Sequence, residues 1–288
     1  MPVAQIGVIG GSGLYDMEGL TNVEEVSVST PFGEPSDSIV VGNLLGKSVA
    51  FLPRHGRGHR VSPSEINARA NIFALKTLGV EWLISVSAVG SMRESISPLD
   101  IVLPDQLFDR TKRRQDTFFD DGLVVHIGFA EPFCADLSEH LYRIASSLSP
   151  APTVHRGGTY LCIEGPQFST RAESRIYRQW GVHVIGMTAI PEAKLAREAE
   201  MCYAQLALVT DYDVWHEVEE PVTAEMIVGN LLRNVETARR ILRKAIPKIG
   251  PERACACGRA LETAIITAPD RVSPATRSKF EPLIRKYL

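Results

Sequence analysis

Short apolar runs alternate along this chain with longer stretches of helical period. Residues 3–9 are apolar and run into Gly10-Gly11-Ser12-Gly13, a strand followed by a tight loop. Residues 38–41 and 48–52 predict a hairpin that turns near 43–46. Ser62-Pro63-Ser64-Glu65 has the form of a capping box and predicts a helix from Ser62 to about Leu78. Strands are expected at 82–87 and 101–103, then a helix over 135–147 with Leu137, Leu141 and Ile144 at helical spacing. Residues 160–163 form a strand leading into Glu164-Gly165-Pro166-Gln167-Phe168, followed by a helix at 172–180 and a strand at 183–185. A helix opened by Pro191 spans 191–200, and 203–209 is a further strand. The long helix expected over 223–249 buries a stripe of Ile227, Leu231, Val235, Ala238, Leu242 and Ile246.

This alternation implies an α/β fold: one layered domain with a central mixed, mostly parallel sheet flanked by helices. Residues 1–250 form that domain. Residues 251–288 form an extension packed on it or on a neighbouring subunit. With 288 residues, 44% of them hydrophobic, the chain can bury a large core. A net charge of -3 argues against nucleic acid or an anionic membrane as partner, so the substrate is expected to be small. No apolar run has membrane length and no signal peptide is recognisable, so the expected location is cytoplasmic. Five cysteines are too few for a disulfide scaffold. Cys255-Ala256-Cys257 lacks the second ligand pair of a zinc site, which leaves open two buried thiols or a redox-sensitive pair.

The chemistry concentrates at predicted strand ends. Leu208-Val209-Thr210-Asp211-Tyr212-Asp213 is an apolar strand closing in two acids, which strand periodicity places on one side. Open α/β sheets bind ligands at such edges. Gly10-Gly11-Ser12-Gly13 suits an anion, because glycines let backbone N–H groups converge and the serine adds a donor. A dinucleotide fingerprint would need glycine where Asp16 stands. Gly42-Asn43-Leu44-Leu45-Gly46-Lys47-Ser48 is one residue short of a P-loop and reads as a hairpin turn. Arg54-His55-Gly56-Arg57-Gly58-His59-Arg60 follows a strand, and arginine's planar fork fits phosphate oxygens. Ser85 to Ser91 and Ile185-Gly186-Met187-Thr188 add two strand ends with hydroxyls. Anion-binding ends facing paired acids suit phosphorolysis of an N-glycosidic bond: the anion attacks the sugar while an acid protonates the leaving base.

At this point the chain resembles the trimeric purine nucleoside phosphorylase family, in its methylthioadenosine phosphorylase branch. The likeness runs from about Ile6 to Ile249. It is carried by Gly10-Gly11-Ser12-Gly13-Leu14, Thr30-Pro31-Phe32-Gly33-Glu34-Pro35-Ser36-Asp37, Arg54-His55-Gly56, Ala70-Asn71-Ile72, Glu164-Gly165-Pro166-Gln167-Phe168-Ser169 and Thr210-Asp211-Tyr212-Asp213.

The resemblance implies a nucleoside phosphorylase-like fold and phosphate-dependent cleavage of 5′-methylthioadenosine to adenine and 5-methylthioribose 1-phosphate. It implies phosphate on Ser12, Arg54, His55, Ser87, Thr188 and the backbone of Ala88. It also implies Met187 against the ribose, Phe168 and Ser169 at the base, and Asp211 and Asp213 as the catalytic pair. His126 matches a histidine that reaches a neighbouring subunit's site, which implies a homotrimer. Ala224, Ile227 and Val228 would line the 5′-substituent pocket. Asp211 is the candidate acid toward the purine ring nitrogen and Asp213 the candidate acceptor from the exocyclic amine, though the sequence leaves their order open. Inorganic phosphate enters as co-substrate, and no metal or redox cofactor is expected. The alternative within the class is a purine nucleoside or methylthioinosine phosphorylase of broader 6-oxopurine specificity. Outside it stand a dinucleotide-dependent oxidoreductase and a nucleoside-binding protein without catalysis.

Overall fold

Strand β1 (Ile6–Gly10) is buried along its whole length, as a central strand covered on both faces must be. It pairs in parallel with β4 (Lys47–Pro53) on one side and with β5 (Trp82–Ser91) on the other. The computed structural model describes residues 4–11, 13, 14, 16–216 and 224–288, with the backbone alone for 224–228. Its sheet has eleven strands. From β1 the sheet continues through β4 and β3 (Ile39–Leu44) to β2 (Leu20–Val26) at one edge. Beyond β5 it runs through β10 (Val184–Gly186) and β9 (Thr159–Ile163) to β7 (Gln106–Arg110). Strand β11 (Cys202–Asp211) also pairs with β5 and leads to β6 (Ile101–Leu103) and β8 (Val154–Arg156). Most of these pairings are parallel, as the alternating pattern implies.

Two helical layers cover the sheet. One core joins Ile9 to α1 (Ala68–Thr77), α4 (Ala189–Glu198) and the C-terminal α6 (Pro274–Ile284). The other joins Ile6 and Val8 to α2 (Ala135–Ser146) and α5 (Ala224–Ala245). The remaining helix, α3, spans Arg171–Gln179. The stripe read on α5 is buried at Ala238 and Leu242, and at Ile246 just beyond its end. The tail is tied down by Glu200, whose carboxylate accepts from Lys286 Nζ at 2.7 Å and Tyr287 Oη at 2.5 Å. Among the described residues no helix is long and apolar enough to cross a membrane.

Two local expectations need correction. The first α-helix begins at Ala68, not Ser62. Ser62 and Glu65 do bond each other, with Ser62 N and Oγ donating to Glu65 Oε2 at 3.2 and 2.7 Å, but they close an isolated turn. The cap that starts α1 is Asn67, whose side chain accepts from Ala70 N while its amide nitrogen donates to Phe32 O. Likewise, Asp211 ends β11, and Asp213 opens a 3-10 turn (Asp213–Trp215) with φ of 54°. Strand periodicity therefore does not relate the two acids. The segment 42–48 is a hairpin, as expected, with its turn at Leu45 and Gly46.

Candidate active site

The parallel strands β1, β4, β5 and β11 bring their C-terminal ends to one edge of the sheet, and the pairing of β5 lapses there on one side. On one side β1 pairs with Trp82 to Ser85, and β10 resumes pairing only at Gly90 and Ser91. Residues 86–89 lie between the two partners, and Ala88 is exposed although its neighbours on the strand are buried. On that side Arg54 and Thr210 Oγ1 take up the carbonyls of Val86 and Val89, so side chains replace a partner strand there. Thr188 and Ser87 meet at the hydroxyl of Tyr160, to which Thr188 N donates at 3.5 Å.

Arg54 projects into this region immediately after β4. It is 2% exposed and donates to Val86 O at 3.0 Å, Ser85 Oγ at 2.7 Å and Ile9 O at 3.3 Å. Its Nε and Nη2 also donate to the two oxygens of Glu192, a buried carboxylate on α4. Burial opposes the Arg54 charge, but Glu192 outweighs it and raises the guanidinium pKa further. Ser85 Oγ and Tyr203 Oη complete the shell of Glu192 at 3.2 and 3.3 Å.

His55 is the next residue. Burial, then the charge of Arg54, lowers its pKa to about 4, so the ring is neutral at pH 7. Nδ1 lies 2.9 Å from Val61 O, and a carbonyl can only accept, so Nδ1 carries the hydrogen and Nε2 is an acceptor. His59 stacks on the ring with centroids 4.2 Å apart. Ser87 Oγ accepts from Gln205 Nε2 at 2.6 Å, which turns its own hydrogen outward. Thr188 Oγ1 is buried without a hydrogen-bond partner among the described residues. Ser12 lies outside the described residues; the next residue, Gly13, accepts at its carbonyl from Arg239 on α5, from Nε at 2.9 Å and Nη2 at 2.5 Å.

The acids stand at the far end of β11. Asp211 Oδ1 accepts from Asp213 N at 2.7 Å, and its Oδ2 from Thr210 Oγ1 at 2.7 Å. Asp213 is buried and bonded to Ser174 Oγ of α3 at 2.5 Å. Burial is the main cause that raises its pKa to about 6, with the charge of Asp211 adding to it. Gly90 makes room for both: a Cβ there would come within 3.0 Å of Asp211 Oδ1 and 3.3 Å of Asp213 Cβ. On α5, Asn230 and Asn234 donate to Thr210 O and Val209 O, each at 2.8 Å, and fix this strand end.

The loop before α3 carries Phe168, which is exposed, and Ser169, whose hydroxyl is buried and unpartnered among the described residues. A capping box at Thr170 and Glu173 starts α3, so the Asp213 contact made by Ser174 sets this loop beside the acids. Arg114 ties the loop to Met187, donating to Met187 O at 2.6 Å and Glu164 O at 2.7 Å. His126 is exposed on a separate segment, its N–H held by Ala264 O at 2.8 Å. The side chains of Ala224, Ile227 and Val228 lie outside the described residues.

Sequence reading missed Glu192, Gln205, Ser174 and Arg114. For Glu192 and Gln205 a signal existed, since each is a polar residue inside an otherwise apolar run and is buried only with a partner. Ser174 and Arg114 sit among other polar residues and carry no such mark.

A model of the phosphorylase superfamily matches residues 5–247. An S-methyl-5'-thioadenosine phosphorylase of Geobacter sulfurreducens is 56% identical, with 98% of this chain and 99% of that protein covered. A methylthioadenosine phosphorylase sourced from an antarctic soil metagenomic library superposes with a TM-score of 0.94 at 50% identity, covering 98% of this chain and 99% of that one. A mutant adenosine/methylthioadenosine phosphorylase of Schistosoma mansoni, solved in complex with methylthioadenosine, gives a TM-score of 0.83 at 35% identity, covering 92% and 100%.

Proposed function

The chain belongs to the phosphorylase superfamily, and we propose that it cleaves 5′-methylthioadenosine with inorganic phosphate to adenine and 5-methylthioribose 1-phosphate. The observation that carries this reading is the stretch of β5 whose pairing lapses on one side, flanked by Arg54, His55, Ser87 and Thr188, with the paired acids at the end of the adjacent β11. The names of the relatives at more than half identity agree with it.

In the proposed reaction phosphate lies against the N–H of Ala88 and the hydroxyls of Ser12, Ser87 and Thr188. Arg54 supplies positive charge from below. As the bond to the base lengthens, the sugar gains oxocarbenium character and the purine gains electrons. A phosphate oxygen bonds to the anomeric carbon from the face opposite the base. The leaving adenine takes a proton at its ring nitrogen from the Asp211–Asp213 pair. One carboxyl of the pair gives up the proton and is left as carboxylate, while the other accepts from the exocyclic amine. An oxygen acceptor also favours the exocyclic amine of adenine over a 6-oxo group. Met187 packs on the ribose, Phe168 and Ser169 meet the base, and Ala224, Ile227 and Val228 receive the 5′ group. His126 completes the site of a neighbouring subunit in a homotrimer. The reaction serves purine and methionine salvage in the cytoplasm.

Purified protein mixed with methylthioadenosine is expected to release adenine only when phosphate is present. Release without phosphate would make it a hydrolase and overturn the roles of Arg54 and His55. Cleavage of methylthioinosine in preference would overturn the reading of the acids.

A further inference from the structure

Four of the five cysteines meet at the end of the sheet remote from the acids. Cys202 is the first residue of β11, Cys134 precedes the first turn of α2, and Cys255 and Cys257 arrive from the C-terminal segment. Their sulfur atoms all lie within 4.8 Å of one another, with Cys202 and Cys255 at 3.3 Å. All four are free thiols, and only Cys255 is partly exposed. The C-x-C pair thus gains from the fold the second ligand pair that its sequence lacks.

We propose that this cluster is a structural zinc site with four cysteine ligands. A zinc ion bonded to four thiolates at ~2.3 Å places them ~3.8 Å apart, which falls within the spread seen here. The backbone already fixes the ligands. Cys134 N donates to Tyr203 O at 2.7 Å and Cys202 N to Glu81 O at 2.8 Å. Arg253 Nη1 donates to Glu200 O at 2.5 Å and so guides the chain into Cys255. Cys134 occupies the N-cap of α2, its sulfur within 4.8 Å of the other three. Cys134, Cys202 and Cys257 belong to the second apolar core, and Cys255 packs against it.

On binding, zinc forms four bonds to sulfur and four S–H bonds break, with their protons released to solvent. The resulting tetrathiolate carries a net negative charge. The N-terminus of the twelve-residue α2 and the guanidinium of Arg253, packed over Gly258, offset that charge. The site staples the C-terminal segment to β11 and acts through stability, not through the reacting atoms.

The full chain, purified from zinc-supplemented cells and dialysed without chelator, is expected to hold about one zinc ion per chain by mass spectrometry of the metal. Metal-free, reduced protein titrated with cobalt(II) is expected to show the intense charge-transfer and visible bands of a tetrahedral cobalt tetrathiolate, and added zinc should abolish them. Cys257→Ser should lose both signals and expose the tail to limited proteolysis. If that variant fails to fold, the cobalt titration of the unaltered chain still decides. Substoichiometric zinc with no cobalt spectrum would overturn the proposal. So would a non-reduced intact mass four hydrogens below that of the reduced chain, which would assign the cluster to disulfides.

Discussion

Glu192 occupies two donors of Arg54, so the guanidinium beside β5 is held by a carboxylate on α4. A buried ion pair that loses one partner leaves an uncompensated charge, at a cost of ~3–5 kcal/mol. Glu192→Gln is therefore expected to lower the unfolding free energy by roughly that amount. It should also raise the KM for phosphate well above any change in the KM for the nucleoside. Denaturant titration and initial-rate kinetics check the two parts, and equal changes in both KM values would refute the positioning role.

In the proposed site His55 would present an unprotonated Nε2 to phosphate, because its Nδ1 hydrogen is committed to Val61 O and its pKa is about 4. Its natural partner is then an anion that brings its own hydrogen. Monohydrogen phosphate and arsenate meet that need and sulfate does not. Sulfate is expected to inhibit weakly against phosphate at pH 7, and His55→Ala should narrow the gap between sulfate and arsenate. Inhibition constants for the two anions decide this.

The raised pKa of Asp213, about 6, predicts a limb in the rate profile. If its proton serves the leaving base, kcat falls as pH rises through that value, subject to the shift that bound substrate imposes. Asp213→Asn should remove the limb, whereas Asp211→Asn should reduce kcat at every pH. A limb that survives in Asp213→Asn would assign it to another group.

Burial raises the pKa of Glu198 to about 7, although Thr117 Oγ1 and Phe118 N both donate to its carboxylate at 2.7 Å. The folded state therefore binds the proton more tightly than the unfolded chain. The stabilising contribution is complete below the ordinary carboxylate pKa of 4.5 and is lost as pH rises to about 7. Glu198→Gln should flatten this decline across that window in thermal unfolding, and an unchanged slope would refute the assignment.

Gly90→Ala tests the fit between β5 and the acids. The added methyl meets Asp211 Oδ1 at 3.0 Å and Ile185 Cγ2 at 3.2 Å, so the acids must move. A loss of at least about tenfold in kcat, equivalent to ~1.4 kcal/mol in the barrier, is expected with a nearly unchanged melting temperature. Full activity would show that the acids tolerate displacement.

Strong signals in the sequence located most of these elements. The buried strands declared themselves as apolar runs, and α5 by its stripe. Strand β2, by contrast, is exposed at five of its seven positions, four of them polar, because it pairs only with β3 at the sheet edge. Nothing in its pattern distinguishes it from a loop. The Ser62 motif misled because a capping box is local, while the start of α1 was decided by Asn67 reaching across to Phe32. Arg54 and the two acids were legible as residues, but their partners Glu192 and Ser174 come from 138 and 39 positions away in sequence. Only the fold makes such pairs adjacent.

Helix α5 grips the end of β11 through Asn230 and the glycine loop through Arg239. These two anchors are nine residues apart, about 13.5 Å of helical rise. In the proposed reaction the nucleophile and the departing base must stand on opposite faces of a sugar, at a span that allows little error. The strand end that carries the acids and the glycine loop are both tied to one rod whose length does not vary, so the two halves of the proposed chemistry shift, if at all, as one body.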